Sequence, residues 1–223
     1  MKELETLNAT GFTVIKKFLT DDQCTDLINN YSNDKLYRST IDMKRYRFGE
    51  GQYRYFNYPL PPIIQQIRTD LYPQLAQLAN EWHEKLSIDL RYPSTHEQFI
   101  EDCRKHGQLR PTPLILRYGP GGHNTLHQDL YGDVYFPFQV VFMLTQKGVD
   151  FEGGEFVLIE QVPRAQSVAR VVNADKGDAV IFTTNFRPVN GSRGYYRSKL
   201  KHGVSMVLAG ERHAMGIIFH DAK

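Results

Sequence analysis

The sequence is poor in cysteine and has little net charge. Its 223 residues include only two cysteines, Cys24 and Cys103, and no CxxC pair. This scarcity argues against a disulfide framework and favours a reducing compartment, so we expect a cytoplasmic protein. The formal net charge is only +2. Such a balance neither requires nor forbids an anionic partner, which must therefore be argued from local charge.

Long apolar runs are also missing. The opening residues, MKELETLNATGF, lack the apolar stretch of a signal peptide. No segment approaches the ~20 uninterrupted apolar residues of a membrane-spanning helix, so we expect no membrane partner. Apolar residues make up 41% of the chain and charged residues 23%, which is typical of a folded globular protein.

The first half of the chain carries helix signals. Residues 20–23 and 95–98 each match the capping box that opens a helix, and residues 11–18 alternate loosely like a short strand. Residues 59–62 open a further helix, because proline is tolerated in a first turn. We expect Pro73 to end that helix and a second one to begin there, because its ring clashes with the preceding turn.

The second half reads as short strands separated by glycine and proline. The predicted strands are 114–118, 125–129, 136–145, 155–160, 168–173, 179–184, 202–208 and 213–220. About eight antiparallel strands after a helical lead-in are typical of a double-sheet jelly roll, also called a double-stranded β-helix or cupin-like barrel. We therefore expect a mainly β fold in a single domain, 1–223. Residues 1–110 would supply helical support and an aromatic-basic hairpin, and residues 111–223 the jelly-roll core.

A histidine and an aspartate stand two residues apart near the start of this core, in the stretch LILRYGPGGHNTLHQD. Alternate side chains of a strand share a face, so His127 and Asp129 should point the same way. A second imidazole follows much later at His202. Two histidines and one carboxylate, with positions left open, are the ligand set of non-haem Fe(II) oxygenases. A lone His-x-Asp can also be a polar surface strand.

These motifs resemble those of the 2-oxoglutarate/Fe(II)-dependent dioxygenases. The likeness is carried by LRYGPGGHNTLHQDLYGD, DFEGGEFVLIEQVPR and HGVSMVLAGERHAMGIIFHDA. Together with RSTIDMKRYRFGEGQYRYFNYPLPP, they make the whole chain similar to a bacterial family described as an oxygenase acting on damaged nucleic acid. The resemblance implies Fe(II), 2-oxoglutarate and molecular oxygen as cofactor and co-substrates.

The resemblance also implies roles for individual residues. His127, Asp129 and His202 would be the iron ligands and the catalytic centre. Arg212, ten residues after His202, would pair with the distal carboxylate of 2-oxoglutarate through two charge-assisted hydrogen bonds. The remaining candidates around the co-substrate are Tyr118, Val204 and Gln139. The alternatives are an exposed Arg212 beside a turn and a Tyr118 that only fills the core.

Residues 37–58 are rich in tyrosine and arginine, and Gly49-Glu50-Gly51 between two aromatic runs predicts a hairpin. One interpretation is a lid over the iron, with arginines for phosphates and tyrosines for stacking on bases. The other is a set of cations that cover a tyrosine-rich sheet. The candidate substrate residues are Arg45, Tyr46, Arg47, Tyr53 and Tyr131. A second basic segment contains Arg187, Arg193, Arg197, Lys199 and Lys201.

The leading substrate hypothesis is an alkylated base of damaged DNA or RNA, which would be demethylated oxidatively with release of formaldehyde. RYGPGG and LHQD resemble the AlkB-type demethylases, but Leu116 and Ile218 stand where those enzymes carry asparagine and a second arginine. The spacing from His202 to Arg212 is more similar to that of prolyl hydroxylases. The alternatives are therefore a hydroxylase of a protein residue or small metabolite and a non-catalytic cupin-like binding protein.

Overall fold

A computed structural model describes residues 2–130 and 132–223. Antiparallel strands dominate it, and helices lie mostly in the first half. The strands are β1 (Phe12–Ile15), β2 (Tyr37–Asp42), β3 (Gly49–Glu50), β4 (Gln52–Phe56), β5 (Leu114–Tyr118), β6 (His123–His127), β7 (Phe138–Met143), β8 (Phe151–Gly153), β9 (Phe156–Gln161), β10 (Val168–Val172), β11 (Ala179–Thr183), β12 (Phe186–Gly191), β13 (Gly194–Val204), β14 (Val207–Gly210) and β15 (Arg212–Ile218). The α-helices are α1 (Lys2–Thr10), α2 (Asp21–Asn29), α3 (Pro62–Lys85) and α4 (His96–Lys105).

The strands form two main sheets and one small one. The seven-stranded sheet has the order β1-β11-β7-β15-β5-β4-β2. The six-stranded sheet has the order β10-β9-β13-β6-β3, with β12 paired to β13, and β14 pairs with β8. This is the mainly β, double-sheet jelly roll that the strand pattern predicts. Strands far apart in sequence become neighbours in it, as β6 and β13 do.

Most strands after residue 113 lie where the pattern places them, but the count and some boundaries differ. The described part of this half holds eleven strands rather than about eight. Strands β8 and β12 were not predicted, and the expected strand 202–208 is two elements, β13 and β14. The first half of β13 alternates between buried and exposed residues only weakly, so its sequence gives little period-2 signal.

The predicted helix starts are confirmed, but the helix end predicted at Pro73 is wrong. Thr20 and Gln23 form the reciprocal capping box that opens α2, and the side chain of Thr95 accepts a hydrogen bond from the amide of Gln98. Pro73, however, lies inside an unbroken α3. Buried side chains on both sides of Pro73, Tyr72 and Leu75 among them, continue one packed face, which outweighs the loss of a single helical hydrogen bond.

Helix α3 packs on the seven-stranded sheet and fixes the end of the chain. The ring of Trp82 lies 4.8 Å from that of Phe138, edge to face. The buried guanidinium of Arg68 donates to a carboxylate oxygen of Asp221 at 2.8 Å and to the carbonyl of Phe219 at 2.9 Å. Because both charges of this pair are buried, breaking it would leave an unpaired charge in the core.

The predicted hairpin forms, and its connection contributes to both main sheets. Strand β2 pairs with β4 in the seven-stranded sheet, whereas β3, between them, pairs with β6 in the six-stranded sheet. At Gly49 the φ angle is 137°, and a Cβ there would lie 2.2 Å from the carbonyl oxygen of His123. Only glycine fits so close to another backbone. We call residues 37–56 the two-sheet segment.

Neither cysteine forms a disulfide, and both Cys24 and Cys103 are buried thiols. Within the described ranges, none of the helices combines the length and the apolar character needed to cross a membrane.

Candidate metal and co-substrate site

Strands β6 and β13 bring the predicted metal ligands together. His127 is the last residue of β6, and His202 lies directly opposite it on β13. The centres of the two imidazole rings are 4.1 Å apart. Asp129 follows β6 by two residues. Between it and His127, the side-chain amide of Gln128 donates to the backbone carbonyls of Asn185 and Leu200. These hydrogen bonds fix the position of the chain between His127 and Asp129.

The carboxylate of Asp129 lies between the two imidazoles. Its Oδ1 is 3.5 Å from Nε2 of His127, and its Oδ2 is 3.3 Å from Nε2 of His202. The Nδ1 of His127 donates to the carbonyl of Thr125 at 2.6 Å, which leaves Nε2 as the lone-pair donor. One ligand atom from each of the three residues lies within 4.8 Å of the others. Two nitrogens and one carboxylate oxygen at this spacing could hold one metal ion.

The electrostatics also suit a metal. Burial would raise the pKa of Asp129, but the neighbouring imidazoles of His127 and His202 hold this pKa well below its usual value. Burial lowers the pKa of His202. It also acts to lower the pKa of His127, where the interaction with Asp129 outweighs it and raises the pKa. An ionised carboxylate beside a neutral His202 suits metal binding, whereas His127 must give up its proton when a metal binds.

Gln139, on β7 of the facing sheet, contacts this cluster directly. Its amide donates to Oδ2 of Asp129 at 2.9 Å and lies 3.2 Å from Nε2 of His202. The side chain is 5% exposed. The structure therefore places Gln139 against the ligand cluster, where it orients the carboxylate.

Arg212 lies beside the same cavity, which has a volume of about 270 Å³. It is 2% exposed, and its Nε has no hydrogen-bond partner within the described ranges. Its polar contact is a weak one, from Nη2 to the sulfur of Met143 at 3.4 Å. A buried guanidinium without a carboxylate partner is costly, so this corner fits the distal carboxylate of 2-oxoglutarate.

Tyr118 and Val204 also line the cavity. Tyr118 lies directly opposite Arg212 on the neighbouring strand β5. Burial raises the pKa of Tyr118 to about 12, so the phenol keeps its proton at neutral pH and can donate a hydrogen bond to an anion. The alternative of an exposed Arg212 is wrong, since this side chain is buried. Tyr118 is a buried core residue that also lines the cavity.

The candidate substrate residues divide into two groups. Tyr53 is half-buried and lines the cavity. Arg45, Tyr46 and Arg47 are exposed and lie outside its lining. Tyr131 falls outside the described residues.

Three cavity residues of the two-sheet segment were not predicted from the sequence: Met43, Phe48 and Tyr55. Tyr55 could have been found, because it lies two residues from Tyr53 in a strand and shares its face. The two rings meet edge to face at 5.4 Å. Phe48 follows a short 3-10 turn, so no strand or helix period marked it.

The other histidines lie apart from this cluster. His123 is half-buried at the start of β6, and its ring bonds the carbonyl of Gly121. His83, on α3, bonds the carbonyl of Leu90, and His96, on α4, bonds the carbonyl of Phe219. Among the described residues, only His127, Asp129 and His202 form a group able to hold a metal.

Comparison with known proteins gives a family and close relatives. A family model described as "oxygenase, catalysing oxidative methylation of damaged DNA" matches residues 51–222. Two uncharacterized proteins of Mycobacterium tuberculosis, from strains CDC 1551 and H37Rv, are each 44% identical over 167 residues. Each match covers 75% of this chain and 72% of the relative.

Solved structures share the fold at low sequence identity. A Pseudomonas putida prolyl-4-hydroxylase matches with a TM-score of 0.56 and 15% identity, covering 100% of this chain and 98% of that one. An oxidoreductase of the 2OG-Fe(II) oxygenase family from Burkholderia pseudomallei gives 0.57 and 15%, covering 99% and 91%. These structures confirm the jelly-roll fold expected from the sequence, and the family match agrees with the expected class of enzyme, an oxygenase.

Proposed function

Because the chain belongs to the oxygenase family described as acting on damaged DNA, we propose that it oxidatively demethylates an alkylated base in DNA or RNA. An oxygenase inserts oxygen into a C–H bond. On an N-methyl group this gives a hydroxymethyl amine, which breaks its C–N bond and releases formaldehyde. The base keeps its nitrogen and recovers a proton there.

In this proposal the metal and the distal carboxylate of 2-oxoglutarate bind at opposite ends of the cavity. His127, Asp129 and His202 would hold Fe(II), and Arg212 with Tyr118 would hold the distal carboxylate of 2-oxoglutarate. When bound, iron and 2-oxoglutarate supply the activation of dioxygen, with succinate and carbon dioxide as co-products. The protein's own contribution is to orient these groups and to limit water, since Asp129, His202 and Arg212 are each less than a tenth exposed.

The aromatic residues that line the cavity are the observation that favours a base as the substrate. Tyr53 and Tyr55 stand on one face of β4, and Phe48 lines the entrance with 47% of its surface exposed. A planar base can stack on such rings, which contributes about 1–3 kcal/mol per base. The exposed Arg45 and Arg47 beside Phe48 suit the phosphates that flank such a base.

The test is turnover of single-stranded oligonucleotides that each carry one N-methylated base. We expect formaldehyde and succinate to be released in equal amounts, dependent on Fe(II) and 2-oxoglutarate. Tyr53→Ala should raise the KM for the oligonucleotide at least about fivefold, because a stacking wall is lost. Tyr46→Ala is the comparison variant. Its exposed ring stacks on Phe48 from outside the cavity lining, so we expect a smaller rise in KM than for Tyr53→Ala. Succinate without formaldehyde on every methylated base would refute the proposal.

A second candidate is hydroxylation of a protein residue. Leu116 and Ile218, which replace polar residues of the AlkB-type enzymes, both line the cavity, so this wall suits an apolar group rather than a base edge. The prolyl hydroxylases share this fold. A peptide panel analysed by mass spectrometry for the gain of one oxygen atom would test this candidate beside the oligonucleotides.

A further inference from the structure

The hairpin of β12 and β13 is the most basic part of the protein. Residues 186–210 contain five arginines and lysines and no aspartate or glutamate, whereas the whole chain has a net charge of only +2. One of the five has a structural partner, since Arg187 lies 2.8 Å from the buried Glu160. The other four are Arg193, Arg197, Lys199 and Lys201. None of them lies within 4 Å of a carboxylate of the described residues.

Three of these cations lie on one face of β13. Ser198, Leu200 and His202 are buried, and the residues between them alternate to the opposite side. The set on that opposite side is Arg197, Lys199 and Lys201, which we call the outer basic row. It lies on the face of the six-stranded sheet that points away from the cavity. Neighbouring cations of the row stand about 6.7 Å apart along the strand.

Among the described residues, the strands paired with β13 place no acidic side chain beside the outer basic row. Lys199 stands opposite Gln161, and Lys201 opposite Ile159, on the adjacent strand β9. On the other side of β13, strand β6 (HNTLH) carries no acidic residue. Like charges without counterions repel each other and destabilise the fold. Their concentration here therefore points to an anionic ligand with several regularly spaced charges.

The row is within reach of the mouth of the cavity along one extended strand of nucleic acid. Gly49 of β3, Asn124 of β6 and Val204 of β13 stand side by side in one sheet. The row begins three residues from Val204, so its cations lie about 14–25 Å from Gly49. The turn before β3 carries the exposed Arg45 and Arg47 and leads to Phe48 at the entrance. A chain of negative charges could thus contact the turn, pass around the edge of the sheet and reach the row.

We propose that the outer basic row binds the phosphodiester backbone of a single-stranded nucleic acid, while a base of the same strand enters the cavity. The inference rests on the proposed function for the identity of that base. Cations on alternate residues of a strand suit successive phosphates of an extended single strand. A single strand is also the form in which a base can leave its neighbours without breaking a pair.

The test compares two triple variants that lose the same charge. The first is Arg197→Gln, Lys199→Gln and Lys201→Gln. The control is Lys35→Gln, Arg104→Gln and Lys105→Gln, three exposed cations elsewhere on the chain. The probe is a fluorescent single-stranded 12-mer of unmodified DNA, whose anisotropy is followed at several salt concentrations.

We expect the outer-row variant to bind the 12-mer at least about tenfold more weakly at low salt. The slope of log affinity against log salt should fall by about 2, since each lost phosphate contact removes about 0.7. The control should stay within about twofold of the wild type. Equal affinities for the wild type and the outer-row variant, or equal losses in both variants, would overturn the proposal. Because Arg197 lies over the ring of Phe186, the double variant Lys199→Gln and Lys201→Gln repeats the test without disturbing that contact.

Two further measurements distinguish nucleic-acid binding by the row from the proposed demethylation and from membrane binding. Turnover of a free methylated nucleoside should be unchanged in the outer-row variant, because the nucleoside needs only the cavity. If the 12-mer result holds but no methylated base is turned over, the proposed function fails and the binding surface stands. If the wild type binds phosphatidylserine vesicles through the row but does not bind the 12-mer, the nucleic-acid assignment is wrong.

Discussion

The guanidinium of Arg212 lies 5.5 Å from the centre of the Tyr118 ring, and the two residues are directly opposite each other on adjacent strands. Both side chains are at most 2% exposed. Because their strands are hydrogen-bonded, the cation and the phenol keep a fixed relative position. They form a rigid corner that could hold an anion, and this corner can be tested apart from the candidate metal ligands.

Replacing Arg212 by leucine should remove most of the affinity for 2-oxoglutarate. Loss of one partner from a buried charge pair costs about 2–5 kcal/mol, so the Kd should rise at least about thirtyfold. Without ligand, the free energy of unfolding should fall by no more than about 1 kcal/mol, since the substitution removes an unpaired buried charge. Calorimetric titration and urea unfolding measure the two effects.

The matched control for that substitution is Arg117→Gln. Arg117 neighbours Tyr118 in the sequence, is exposed and pairs with the exposed Glu211. It should leave the Kd for 2-oxoglutarate within about twofold, because exposed pairs contribute little. A large loss of stability in Arg212→Leu, with unchanged 2-oxoglutarate binding, would mean that Arg212 is a structural residue.

Asp129→Asn should abolish tight metal binding. It keeps the shape of the side chain and removes the charge between the two imidazoles, so the affinity for Mn²⁺ or Co²⁺ should drop at least about a hundredfold. His123→Asn is the control, since this histidine lies on the same strand as His127 but outside the cluster. Metal titration followed by the Co²⁺ absorption spectrum distinguishes the two, and unchanged spectra for Asp129→Asn would contradict the assignment.

Gln139→Leu should weaken metal binding without unfolding the protein. The amide orients the carboxylate of Asp129, and loss of such an orienting contact typically costs 10–100-fold in metal affinity. We expect the KM for 2-oxoglutarate, measured at saturating metal, to change far less than the metal Kd. If the 2-oxoglutarate KM moved and the metal Kd did not, Gln139 would instead contact the co-substrate, as the sequence-based expectation has it.

His96 should make stability depend on pH. Burial lowers its pKa to about 3, so the folded protein keeps it neutral while the unfolded chain protonates it near pH 6.5. Stability from this group is thus complete above about pH 6.5 and falls as the pH drops toward 3, by up to about 1.4 kcal/mol per pH unit. His96→Gln should make the pH dependence shallower over this window in urea unfolding. An unchanged slope between pH 6.5 and 5 would contradict the prediction.

The jelly roll and the cluster of candidate metal ligands could be predicted because their signals are local or periodic. His127 and Asp129 lie two residues apart at the end of one strand, and Arg212 stands at a fixed distance from His202 along the chain. Strands buried on one or both faces leave a visible pattern, as β5 and β7 do.

What the sequence could not predict depends on tertiary contacts. The contact between Gln139 and Asp129 joins two facing sheets, and no spacing along the chain encodes it. Pro73 was expected to end a helix, but the packed face of α3 continues through it. Phe48 reaches the cavity because β3 pairs with β6, a pairing of only two residues on each strand.

The two-sheet segment separates scaffold from variable surface. Strands β2 and β4 are held in one sheet and β3 in the other, so the excursion at residues 43–48 is anchored at both ends by backbone hydrogen bonds. Its exposed side chains can therefore change without moving the candidate metal ligands. We expect that exchanging residues 43–48 between relatives would transfer their substrate preference, while the jelly roll beneath keeps its structure.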